Sequence, residues 1–150
     1  LSRFGTTSTA TIAELVRLCA ERPGARVLNA ADENPPTVLE IGRAVFDHLG
    51  HDARLIGMPG EARGDLGTSP WAVPTPFVLS MERAATELGY TPVGTYRELV
   101  APAIEWIVDA EAAARAEGRT WREAFPRMVE RYGADSWFDY DAEDAYAATR

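Results

Sequence analysis

The chain has 150 residues, 46% of them hydrophobic and 25% charged, which suits one folded domain of ordinary size and excludes a disordered chain. All 15 basic residues are arginine, so Schiff-base lysines, a Walker-A lysine and every Tyr-x-x-x-Lys catalytic pair are excluded. A formal charge of -8 argues against nucleic acid as a partner, because binding a phosphate backbone depends on clustered cations displacing counterions.

The first helix is predicted from a Thr11/Glu14 capping box, with Ile12, Leu15, Val16 and Cys19 at helical spacing and a stop before Pro23-Gly24. Cys19 is the single cysteine, which excludes an internal disulfide and a thiolate zinc cluster and reads as a buried structural thiol. Arg26-Val27-Leu28-Asn29-Ala30 follows as a short strand. The second helix starts at a Thr37/Glu40 box after Pro35-Pro36, turns Val38, Ile41, Val45 and Leu49 to one side, and ends at Gly50. Arg54-Leu55-Ile56-Gly57-Met58 reads as a second strand. Strand, helix, strand with short joints is a βαβ unit, so residues 26–30 and 54–58 are expected to run parallel in one small sheet.

Residues 59–76 are rich in Gly and Pro and carry Arg63, Asp65, Thr68 and Trp71, which reads as a long loop. Ser80 caps a short helix ending at Leu88-Gly89. A long helix from a Thr95/Glu98 box to about Ala116 is expected to bury Leu99, Ala103, Ile104, Trp106 and Ile107, with Pro102 kinking its early part and Gly118 closing it. A Thr120/Glu123 box opens a last helix carrying Trp121, Phe125, Met128 and Tyr132. Trp137-Phe138 and an acidic, solvated tail complete the chain.

The chemical motifs are few. His48 and His51 flank Gly50 beside Asp47 and Asp52, but the glycine interrupts the helix, so they read as residues favoured by a helix C-terminus and no metal site is expected. Gly-x-Ser-x-Gly, a Cys/His dyad, an EF-hand loop and Gly-x-Gly-x-x-Gly are all absent. Arg63 upstream of Trp71 suits a nucleotide, with the indole stacking on the base and the guanidinium forking onto phosphate; the plainer reading is a tryptophan that packs the loop onto the body. No apolar run reaches the ~18 residues of a membrane span and no charged-then-apolar leader opens the chain, so a cytoplasmic protein is expected. Leu1 in place of methionine suits a processed or partial chain.

In chain order, Ile12-Ala13-Glu14-Leu15, residues 26–32 ending in Asn29-Ala30-Ala31-Asp32, residues 36–42 with Thr37-x-x-Glu40-Ile41, residues 84–92 with Leu88-Gly89-Tyr90-x-Pro92, and Ile104-Glu105-Trp106-Ile107 resemble the C-terminal, substrate-binding part of the NAD-dependent epimerase/dehydratase family, the extended short-chain dehydrogenase/reductases. The resemblance covers roughly residues 10 to 109. It implies a helix-rich α/β substrate domain over 1–110 with a small parallel βαβ sheet, lacking most of the Rossmann domain, and a helical extension with an acidic tail over 111–150.

The resemblance further implies NAD or NADP bound by an upstream Rossmann domain, with no cofactor and no catalytic residue on this chain, which alone is expected to be inactive. Its partner would be a small-molecule substrate, such as a nucleotide sugar or a related carbonyl or hydroxyl compound; homo-oligomerisation stays open. Arg63-Gly64-Asp65 is the nearest match to the family's Arg-x-Gly-Asp stretch, one residue shorter, so Arg63, Asp65, Thr68 and Trp71 become the candidate substrate-binding residues. Two departures stand out: the insert Gly67-Thr68-Ser69-Pro70-Trp71, and Thr9-Ala10-Thr11 where the family commonly has an acidic pair. The competing reading is a stand-alone acidic α/β module that works through protein contacts without catalysis.

Overall fold

Short-range capping decides most of this backbone. The computed structural model describes residues 2–58, 63, 64, 66, 67, 69, 71, 73–133 and 139–150. Among them run seven α-helices: α1 Thr9–Glu21, α2 Val38–Leu49, α3 Glu82–Leu88, α4 Tyr96–Ala116, α5 Trp121–Ala124, α6 Pro126–Tyr132 and α7 Tyr140–Ala147. Reciprocal capping boxes form at Thr37/Glu40, Thr95/Glu98 and Thr120/Glu123, each glutamate accepting from the threonine N–H at 2.7, 2.8 and 2.7 Å. The fourth expected box does not form. Ser8 is the N-cap of α1 and accepts from the Thr11 N–H at 3.0 Å, while Glu14 turns outward to pair with Arg17 at 2.6 Å.

Glu40, Glu98 and Glu123 are held below the usual carboxylate range, first by the threonine N–H and then by the threonine hydroxyl. A carboxylate whose folded pKa is depressed adds stability that is complete above its unfolded value, about 4.3, and is lost as the pH falls through the lower folded value. The urea midpoint is therefore expected to decline below about pH 4.3. Glutamine at all three positions keeps a neutral cap acceptor without the titration, so the triple variant should show a flatter acid limb. Parallel acid limbs in the two proteins would exclude the caps as its source.

The expected parallel βαβ sheet is absent: no described residue belongs to a strand, and the pairings are isolated bridges, Arg3 with Thr37, Phe4 with Phe77 and Arg63 with Leu66. Residues 26–32 have no regular secondary structure, and side chains and single contacts serve them in place of a ladder. The Val27 carbonyl accepts from Arg83 Nη1 at 3.0 Å, the Ala31 N–H meets Met81 Sδ at 3.2 Å, and the Asp32 N–H donates to the Thr6 carbonyl at 2.8 Å. Val27 itself is 82% exposed. Parallel pairs are stable when both faces are covered and further strands flank them, and these short segments have no such neighbours among the described residues.

The chain divides into two compact units. The first comprises Leu1–Ala53 and Pro70–Pro102. Its core joins Leu15 and Leu18 of α1, Ala84 and Leu88 of α3, and Ala31, Met81 and Tyr90, with Cys19 half-buried at the margin. The inward face of α1 is thus Thr11, Leu15 and Leu18; Ile12 and Val16, expected inside, are exposed. α2 ends at Gly50 as expected. Ser80 Oγ accepts from the Glu82 N–H at 3.2 Å at the start of α3, and Gly89, at φ 68°, closes it in the left-handed region where glycine is tolerated without strain.

The second unit comprises Arg54–Ser69 and Ala103–Arg150. Of the five residues expected to be buried on α4, only Ile104 is; Trp106 and Ile107 are exposed. The expected single helix after Thr120 is broken at Phe125, which takes φ -124° and ψ 60° ahead of Pro126. The proline ring bars its predecessor from the helical region and then opens α6 itself. Trp137 and Phe138 lie outside the described residues. The acidic tail, expected to be solvated and frayed, is largely exposed but regular: it forms α7, whose N-cap Asp139 accepts from the Ala142 N–H at 3.0 Å. Asp141 and Glu143 in its first turn complement the helix dipole.

Candidate functional site

Arg63 sits in the second unit on a tight turn closed by two backbone bonds, Arg63 N–H to the Leu66 carbonyl at 3.0 Å and Leu66 N–H to the Arg63 carbonyl at 3.2 Å. Gly64 at φ 61° supplies the left-handed residue that the turn requires. The Arg63 side chain is exposed and makes no hydrogen bond or ion pair with the described residues. By contrast, the guanidinium groups of Arg3, Arg17, Arg26, Arg83, Arg97, Arg115 and Arg119 each lie within 3.7 Å of a carboxylate. Asp65 and Thr68 lie outside the described residues. Because residues 54–58 form no strand, the turn is not the loop at the end of a parallel strand that the βαβ reading required.

Trp71 belongs to the first unit and is 40% exposed. Its main chain is fastened by Ser2, whose hydroxyl donates toward the Trp71 and Val73 carbonyls at 3.1 and 3.0 Å and accepts from the Val73 N–H at 2.9 Å. The extended segment 2–6 is a seam of this unit: Val38 and Phe77 donate to the Ser2 and Arg3 carbonyls, and Phe4 packs on Phe77 at 5.6 Å between ring centres.

A second set of groups meets in a cleft of about 650 Å³ in the first unit, between the start of α2 and the start of α4. Arg3 Nη1 donates to the Pro35 carbonyl at 2.7 Å and lies 3.7 Å from Glu40. Arg97, in the first turn of α4, reaches Asp47 of α2 at 2.6 Å through Nη1. Glu33, Asn34 and Tyr96 complete the polar wall; the Tyr96 hydroxyl is pushed up by burial and then by the charge of Asp32, which itself accepts from the Thr6 hydroxyl. No sequence motif marks this cleft. Its wall comes from segments far apart in the chain, and the one local signal, Thr95-x-x-Glu98, identifies a helix start.

Among the described residues, no three or more His, Cys, Asp or Glu side chains gather as metal ligands would, and the His51 ring lies against Phe46 at 5.6 Å. No described helix is long and apolar enough to cross a membrane. In comparisons with known proteins, no family, curated protein or solved structure matches this chain.

Proposed function

We propose that this chain is the substrate-binding portion of an NAD(P)-dependent epimerase, dehydratase or reductase acting on a nucleotide sugar or a related carbonyl or hydroxyl substrate, with the cofactor and the catalytic residues supplied by an upstream Rossmann domain. The observation that carries the reading is Arg63. Its guanidinium is displayed on a doubly bonded turn, with no carboxylate among the described residues to neutralise it. A diphosphate suits a planar guanidinium fork that has no described ion pair to break before charge-assisted bonds form. The family-like segments, which follow in order along the sequence before and after it, supply the context.

The test is Arg63→Ala in the protein together with its upstream coding sequence. Losing a charge-assisted bond should weaken nucleotide-sugar binding about 10- to 100-fold. The melting temperature should stay unchanged, because the side chain touches no described partner. Unchanged affinity would remove Arg63 from the site.

A module that works through protein contacts is the second reading. It is favoured by Trp106, Ile107 and Val108, consecutive on α4 and 65%, 51% and 45% exposed. The coding sequence before Leu1 separates the two: a glycine-rich strand-turn-helix followed by Tyr-x-x-x-Lys supports the first reading, and a start codon there supports the second.

A further inference from the structure

We propose that the cleft of the first unit binds a small aliphatic zwitterion, an amino acid whose carboxylate lies on Arg97 and whose ammonium lies on Glu33. The cleft is distinct from the Arg63 turn, and the proposal stands whether or not the chain serves an oxidoreductase.

Arg97 spends only Nη1 on Asp47; among the described residues Nε and Nη2, the two donors of a guanidinium edge, are unused and suit a carboxylate held by two parallel bonds. Glu33, Asn34 and the Tyr96 hydroxyl likewise make no hydrogen bond with the described residues, so the wall offers a free acceptor, an amide and a phenol. The remaining charges are already engaged. Glu40 accepts from the Thr37 N–H and hydroxyl at 2.7 and 2.9 Å and faces Arg3, while Asp47 holds Arg97 and Asp32 accepts from Thr6.

Charge balance then selects the ligand. The ionised side chains lining the cleft are Arg3, Arg97, Glu33 and Glu40, two of each sign, and Asp47 adds a negative charge behind Arg97. A dianion such as a phosphate would meet three carboxylates against two cations, and a simple amine, which that balance admits, would leave the Nε–Nη2 edge of Arg97 unused. A ligand bearing both charges satisfies both ends. Pro36, Ala44 and Val78 lie along the same cleft and provide an apolar wall for an aliphatic side chain.

The experiment titrates the whole chain with L-leucine and follows backbone amide signals by NMR, with isocaproate and isoamylamine as probes that keep the aliphatic body and only one of the charges. Leucine is expected to move the signals of Asn34, Tyr96 and Arg97, and each single-charge probe to bind at least about tenfold more weakly. Glu33→Gln removes an exposed carboxylate that has no described partner and should leave the fold intact. It should weaken leucine about tenfold and leave isocaproate unaffected or strengthened. Unmoved signals at millimolar leucine, equal binding of leucine and isocaproate, or leucine binding insensitive to Glu33→Gln would each overturn the proposal.

Discussion

Truncating Tyr90 to alanine is expected to cost the first unit about 3–5 kcal/mol, whereas Tyr90→Phe should change its stability by less than about 1 kcal/mol. Tyr90 is 6% exposed and belongs to the core formed with Leu15, Leu18 and Leu88. It arrives there through the chain reversal at the end of α3. The Gly89 N–H bonds back to the Ala85 carbonyl at 2.9 Å, the single bond of an αL cap, and the Tyr90 N–H reaches further back to the Ala84 carbonyl at 3.2 Å, so the reversal carries the Tyr90 ring onto the core that α3 also faces. Alanine keeps both backbone bonds and deletes the ring, so the loss isolates packing. Phenylalanine keeps the ring and removes a hydroxyl that makes no hydrogen bond with the described residues and is not an orphaned buried atom. Urea unfolding of the three proteins, followed by circular dichroism, measures both differences. A loss in Tyr90→Phe comparable to that in Tyr90→Ala would show that the hydroxyl, and not the ring, anchors this turn.

The same element shows what the amino-acid order makes legible by itself. Leu88-Gly89-Tyr90 is legible because its interactions close within six residues, as are the boxes at Thr37, Thr95 and Thr120 and the stop at Gly50. Two further local signals are equally short in range and easily misweighed. Pro126 dictates the break at Phe125, and Asp139 is as good a cap as the threonines; the acidic residues after it have the composition of a solvated tail but complement the first turn of α7.

Burial and pairing are a different matter, because they depend on partners far away in the chain. Residues 26–30 have the composition of a strand, but whether an extended segment joins a ladder is decided by what lies beside it, and here side chains of Arg83 and Met81 lie there. On α4, Ile104 alone among positions 99, 103, 104, 106 and 107 is buried, because which side of a helix is covered is decided by elements elsewhere in the chain. The candidate sites divide in the same way. The Arg63 turn is announced by Gly64 and Gly67, while the cleft joins Glu33 and Asn34 to Tyr96 and Arg97 across the sequence and has no local signature.

Leu88→Ala is expected to lower the stability of the first unit by about 2–5 kcal/mol. Leu88 is 1% exposed and, among the described residues, is the largest apolar side chain that the fold encloses completely. α3 has seven residues, too few to be stable as an isolated helix, so its existence depends on docking against α1 through Ala84 and Leu88. Removing the isopropyl group leaves a cavity in the core that Leu88 forms with Leu15, Leu18, Met81 and Tyr90, and the cost of that cavity adds to the lost transfer free energy. Two controls separate packing from helix propensity. Leu88→Met conserves volume and should cost less than about 1.5 kcal/mol. Val16→Ala changes a residue of α1 that is 63% exposed and should stay within about 0.5 kcal/mol of the parent. If Leu88→Ala costs no more than Val16→Ala, α3 does not hold the first unit together through this contact, and the turn that carries Tyr90 must be anchored by other means.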